Sequence, residues 1–172
     1  MPELKLVDGR LSEYYNHFEE YRFLSCLATD TRLLGVVALK VTWRGKDNPR
    51  AHYYQVIHLD YSEYGIDEYL EFECIPGTDN YGDQKDEMNY NWNHFVNVMG
   101  GNTVNISADA MLKLIETAMP LASDDLDREY DSASNADFRH NAKMRLDLMK
   151  QALAADGITS DTCTVLDRKS VV

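Results

Sequence analysis

The sequence predicts an α+β protein in which an N-terminal antiparallel sheet is followed by helices packed on one of its faces. Two observations indicate this class. Before residue 76 apolar residues mostly alternate, as in a half-buried strand, and after it they recur at helical spacing. The strands therefore come first and the helices second, an order typical of α+β folds. We expect a meander of about four strands over roughly residues 20–75, followed by three to four helices.

We expect the 172 residues to form a single domain, since a chain of this length can bury one core. The sheet-forming part covers about 1–76, the helical part about 84–157, and a C-terminal tail 158–172. Two segments remain open. Residues 12–19 read as a short helix or an irregular segment, with a strand as the alternative, and the tail reads as an edge strand or a loose end.

Four segments carry the strand pattern. Tyr21 to Ala28 is followed by a turn over 29–32, and Leu33 to Arg44 is the clearest strand of the chain. Residues 51–60 and 68–75 form two more strands, joined through 64–67. Sequential strands with short connections usually pair as antiparallel neighbours. One face of the second strand is expected to be apolar: Leu33, Val37, Leu39, Val41 and Trp43.

Three apolar stripes predict the helices. The first is expected to end at Gly100-Gly101, the second to begin after the N-cap Ser107, and the third to begin at Asp137 and end before Gly157. The first stripe is Met88, Trp92, Phe95, Val96 and Met99. The second is Met111, Leu114, Ile115 and Ala118, and the third is Phe138, Ala142, Leu146, Met149 and Leu153.

Negative charge is concentrated in one part of the chain. The net charge is −12, and residues 60–92 hold ten acids and one lysine, which gives −9 for this segment. Such a segment repels the phosphate backbone of nucleic acids, so direct nucleic-acid binding is not expected. A cationic partner or a metal ion remains compatible with it.

The location is predicted to be cytoplasmic. The longest apolar run, residues 33–39, is far shorter than the roughly 20 residues of a membrane helix, so no membrane association is expected. The N-terminus carries charges where a signal peptide needs apolar residues. Cys26, Cys74 and Cys163 form no CxxC pair, which indicates buried thiols and not a zinc site.

The densest chemistry lies in residues 51–73. His58 and Asp60 share one face of a strand, and a histidine beside a carboxylate can act as a general base or as part of a metal site. Glu71 and Glu73 share one face of the next strand. If they lie across from His58 and Asp60, the four residues would bind a divalent cation. A plain solvated sheet face is the alternative.

Tyrosine is the other unusual feature of this stretch. Five of the eleven tyrosines fall between residues 53 and 69, and tyrosine is frequent both at binding surfaces and in half-buried strands. The expected binding face comprises Tyr54, His58, Asp60, Tyr64, Glu71 and Glu73.

These observations lead to three functional hypotheses. The first is a non-enzymatic binding or regulatory module that engages a protein partner, or a second copy of itself, through an acidic, tyrosine-rich sheet face. The second is a small metal-assisted hydrolase using His58, Asp60, Glu71 and Glu73. The third and weakest is an acidic DNA mimic that inhibits a nucleic-acid-binding protein. The chain holds no GxSxG sequence and no other nucleophile signature, so a binding module is expected before an enzyme. No cofactor is evident in the sequence, and a divalent metal is the one that remains possible.

Overall fold

The computed structural model describes residues 18–30, 35–119 and 133–157, with the backbone alone for 133–143. A helical end at 18–20 leads into a five-stranded antiparallel sheet of order β4-β3-β2-β1-β5. The strands are β1 (Tyr21–Thr29), β2 (Val36–Gly45), β3 (His52–Asp60), β4 (Gly65–Cys74) and β5 (Thr103–Ile106). The helices are α1 (Tyr81–Val98), α2 (Ala108–Ala118) and α3 (Ala133–Ala155). The predicted α+β class and four-stranded meander are confirmed.

A fifth strand lies inside the part of the chain that the sequence pattern assigned to helices alone. β5 connects α1 to α2 and pairs with β1, with Thr103 opposite Thr29 and Ile106 opposite Cys26. A strand of four residues is too short to show a period of two, so its pattern could not be separated from a loop. The expected boundary between a sheet-forming and a purely helical part is therefore wrong at this strand.

Helices cover both faces of the sheet, and the expectation that they pack on one face is wrong. All three of Ala38, Leu39 and Val41 lie in β2, which is flanked by β1 and β3. Leu39 and Val41 belong to a buried cluster with α2 and α3, whereas Ala38 belongs to a second cluster with α1. We call these the α2–α3 face and the α1 face. The central strands bury residues on both sides, which a simple alternation between apolar and polar residues does not reveal.

The helix ends follow the sequence closely, with one exception. Ser107 Oγ accepts a hydrogen bond from the Ala110 backbone N–H at 3.1 Å, so the predicted N-cap of α2 is confirmed. Gly100 and Gly101 follow α1 with φ of 99° and 83°, a conformation that glycine adopts easily. Asp137 was predicted to cap the last helix, but α3 already begins at Ala133, so Asp137 lies within it.

The predicted apolar stripes are buried or half-buried wherever the structure describes them. Met88 and Trp92 of α1, Met111 and Ile115 of α2, and Met149 of α3 all pack against the sheet. Within the described ranges, no helix is long and apolar enough to cross a membrane. Several predictions lie outside the described residues: most of the segment 12–19, the tail 158–172, Cys163, and the side chains of Phe138 and Ala142.

Candidate functional site

The register between β3 and β4 decides which side chains of the predicted binding face meet. Glu71 lies opposite Gln55 and Glu73 opposite Tyr53, and partners that lie opposite one another share a face of the sheet. Both glutamates therefore lie on the α2–α3 face, whereas His58 lies on the α1 face. The expected row of His58 and Asp60 across from Glu71 and Glu73 does not exist.

The error came from the apolar residues of β4. Leu70 and Phe72, and not the two glutamates, lie on the face of His58. They are opposite Val56 and Tyr54 on the α1 face. Because a change of register by one residue exchanges the two faces, that single offset misplaced the whole strand.

Glu71 is part of a hydrogen-bonded group on the α2–α3 face, which we call the tyrosine–glutamate cluster. Glu71 Oε2 accepts hydrogen bonds from the hydroxyls of Tyr53 at 2.9 Å and Tyr69 at 3.2 Å. Gln55 donates to the Tyr69 hydroxyl at 3.3 Å and accepts from the Trp43 indole N–H at 2.8 Å. Four of these side chains are buried, and their polar groups are paired, as burial requires.

A second carboxylate and a buried cation border this cluster. Glu73 Oε2 accepts a hydrogen bond from the Tyr21 hydroxyl at 3.1 Å. Burial raises the pKa of Tyr21, and the negative charge of Glu73 raises it further, so this phenol stays protonated and donates. The buried guanidinium of Arg145 lies 5.6 Å from the centre of the Tyr69 ring. Arg145 was not predicted, although it lies four residues before Met149, within the apolar stripe of α3.

His58 pairs with a residue that was not predicted. Its Nδ1 lies 2.8 Å from Oδ2 of Asp67, and its ring stacks on Phe95 with centroids 5.3 Å apart and planes at 6°. Asp67 is the extra residue of a β-bulge, which places its side chain beside His58. Sequence spacing alone could not show this bulge.

Asp60 closes the hairpin between β3 and β4. Its Oδ1 accepts hydrogen bonds from the Ser62 backbone N–H at 2.9 Å, the Ser62 hydroxyl at 2.6 Å and the Glu63 N–H at 3.1 Å. Burial raises the pKa of Asp60, but these hydrogen bonds outweigh it and lower the pKa overall. Asp60 thus stabilises the turn through its side chain, a role that aspartate commonly has.

The four predicted metal ligands do not converge. His58 and Asp60 lie on one face of the sheet, and Glu71 and Glu73 on the other. Among the side chains that the structure describes, no group of three or more histidines, cysteines, aspartates and glutamates is placed to hold a metal ion. The last two predicted residues lie elsewhere: Tyr54 lines a cavity at the end of the sheet, and Tyr64 is half-buried in the hairpin turn.

The strands carry no exposed acid in the described part of the chain, whereas α1 carries three. Asp83, Asp86, Glu87, Tyr90 and His94 are all exposed, and their spacing places them on one side of the helix, which we call the outer face of α1. Tyr90 is 73% exposed, the most of any large hydrophobic side chain in the described part of the chain. The helical spacing of these residues is present in the sequence. The binding face was nevertheless predicted in the hairpin 51–73, because that stretch holds more histidines, tyrosines and carboxylates.

Comparisons with known proteins identify no relative. No family model, no curated protein and no solved structure matches the chain.

Proposed function

We propose that this protein is a binding module that engages a basic protein partner through the outer face of α1. The observation that carries the proposal is the exposure of Tyr90 beside Asp83, Asp86 and Glu87. Tyrosine contributes a large contact area and is among the residues that most often dominate the energy of an interface.

Packing within the protein does not explain this tyrosine. The opposite side of α1 already buries Met88 and Trp92 against the sheet, so the helix is held without Tyr90. Val98, on the same helix, is also 65% exposed. An aromatic and an aliphatic side chain among acids resemble the mixture of apolar and polar groups found at protein interfaces.

Charge favours a basic partner over a second copy of this chain. Among the described residues, Asp83, Asp86 and Glu87 form no ion pair, so their charges are available to a partner. A two-fold dimer through this face would place the same carboxylates against one another. A basic surface would instead be attracted by them and would associate faster at low salt.

The outer face of α1 is a different surface from the acidic sheet face that the sequence predicts as the binding site. Glu71 and Glu73 accept hydrogen bonds from tyrosines, and Asp60 binds its own turn, so these carboxylates support the fold. The free thiols of Cys26 and Cys74 are buried and suit a reducing compartment, so we place the module in the cytoplasm.

Charge reversal on the outer face of α1 tests the proposal. The wild-type protein is used to capture a partner from cell extract, and the purified partner is then titrated by calorimetry. D86K/E87K should weaken binding by at least about tenfold, as should Tyr90→Ala, because both remove contacts at the centre of the surface. The partner should be basic, and binding should weaken as salt rises.

The matched control is D47K/D147K, which reverses two exposed carboxylates away from α1 and should change affinity less than about twofold. Equal losses in both double variants would mean that only overall charge matters and would refute the proposed surface. Competition by duplex DNA for the same partner would instead support the DNA-mimic hypothesis.

A further inference from the structure

A cavity of about 490 Å³ lies at the end of the sheet where α1 begins. His52 starts β3 and Cys74 ends β4, and the two residues lie directly opposite one another. The cavity volume is in the range of sites that hold a small molecule. Its lining residues in the described part of the chain are Pro49, Arg50, His52, Tyr54, Cys74, Pro76, Tyr81 and Lys85.

The lining is cationic in a protein that is strongly acidic. It contains Arg50 and Lys85, and none of its described residues is an aspartate or a glutamate. Lys85 is the one lysine of the acidic segment 60–92. Burial lowers the pKa of His52, the hydrogen bond to the Arg50 carbonyl raises it, and the nearby positive charges of Arg44 and Lys85 lower it.

Aromatic rings form much of the wall. The rings of His52 and Tyr54 are stacked, with centroids 5.9 Å apart and planes at 23°. The Lys85 ammonium lies 3.5 Å from the Tyr81 hydroxyl and 5.7 Å from the centre of the Tyr81 ring. The lysine head group is thus held at the rim of the cavity by a tyrosine of the first helical turn.

The polar atoms of the wall have defined roles. His52 Nδ1 lies 3.1 Å from the Arg50 carbonyl oxygen, which can only accept, so Nδ1 carries a proton and Nε2 of the neutral ring is an acceptor. Burial raises the pKa of the Cys74 thiol, so it is protonated and unsuited to act as a nucleophile. These features indicate a binding site and not a site of covalent chemistry.

We propose that this cavity binds a small organic anion, a flat aromatic ring that carries a phosphate or a carboxylate. Arg50 and Lys85 pair with the anionic group, and the rings of His52, Tyr54 and Tyr81 contact the aromatic body. Charge-assisted hydrogen bonds to the anion are the strongest available here, and ring contacts add to them. The site is independent of the proposed partner surface on the outer face of α1.

Four probe molecules distinguish the contribution of the aromatic ring to binding from that of the anionic group. Phenyl phosphate and benzoate carry both a ring and an anion, inorganic phosphate carries only the anion, and benzyl alcohol only the ring. Titrations followed by NMR should give dissociation constants of about 1 mM or tighter for at least one of the first two probes. The two fragments should bind at least about tenfold more weakly, and the ratio of phenyl phosphate to benzoate identifies the preferred anion.

The variants test the residues. R50Q/K85Q should weaken binding of the tighter probe at least about tenfold, and Tyr54→Ala should weaken it while leaving inorganic phosphate unchanged. The control K46Q/K150Q removes two exposed positive charges elsewhere and should change the affinity less than twofold. Circular dichroism establishes that each variant is folded. No saturable binding by any probe, or equal losses in both double variants, would overturn the proposal.

Discussion

The two faces of the sheet differ in what they bury and what they leave accessible. On the α2–α3 face, a large apolar cluster surrounds the hydrogen-bonded tyrosines and Glu71. On the α1 face, a smaller cluster is covered by one helix, whose outer side is acidic and whose first turn borders the cavity. The comparison indicates that the polar residues of the α2–α3 face stabilise the fold, whereas α1 presents its acids on an exposed outer side.

The largest effect on stability should come from Trp43 on the α2–α3 face. It is fully buried, packs edge-on against Phe18 and Phe23, and donates to Gln55. Trp43→Ala should lower the free energy of unfolding by about 4 kcal/mol, because it leaves a cavity and an unpaired amide oxygen. Urea denaturation measures the change. Tyr90→Ala on the outer face of α1 should stay within about 0.5 kcal/mol, and a comparable loss there would contradict the division between the two faces.

Glu71 should show a smaller but clear effect. Glu71→Ala removes the acceptor of the Tyr53 and Tyr69 hydroxyls and should cost about 2 kcal/mol. In the double variant E71A/Y53F the cost should be less than the sum of the two single substitutions, because both remove the same hydrogen bond. Strictly additive effects, measured by urea denaturation, would show that the tyrosine–glutamate cluster does not act as a unit.

A smaller loss of stability is expected from Asp60 in the hairpin turn. Its pKa is lower in the folded protein than in the unfolded chain, so its contribution is complete above the unfolded pKa and is lost as pH falls through the folded pKa. Near pH 7, Asp60→Asn should lower the free energy of unfolding by about 1 kcal/mol. The difference from wild type should shrink below about pH 4. A difference that is constant from pH 7 to pH 2.5 would contradict this assignment.

The fold followed from the sequence to a large extent because its signals are local. The alternation in Leu39, Val41 and Trp43 and the helical stripe with Met88 and Trp92 each arise from the geometry of a single element. The Ser107 N-cap is equally local. β5 was missed because four residues carry too little periodicity and depend on pairing with β1, about 75 residues earlier in the chain.

The candidate site was predicted less well, because it depends on how elements meet. The hairpin 51–73 was rightly identified as two paired strands, but its register placed Glu71 and Glu73 on the face opposite His58. Asp67 became the partner of His58 through a bulge that no spacing rule indicates. Arg145 approaches Tyr69 from a helix 76 residues further along the chain.

The sequence alone predicted four of the five described strands, the three described helices and the concentration of acids between residues 60 and 92. The tertiary structure decided which carboxylates are used by the fold and which stay accessible, and it brought Arg50, His52 and Lys85 around one cavity. The reason is physical. Period and capping act within a few residues, whereas strand register, helix placement and cavities depend on contacts between distant segments that must satisfy one another together.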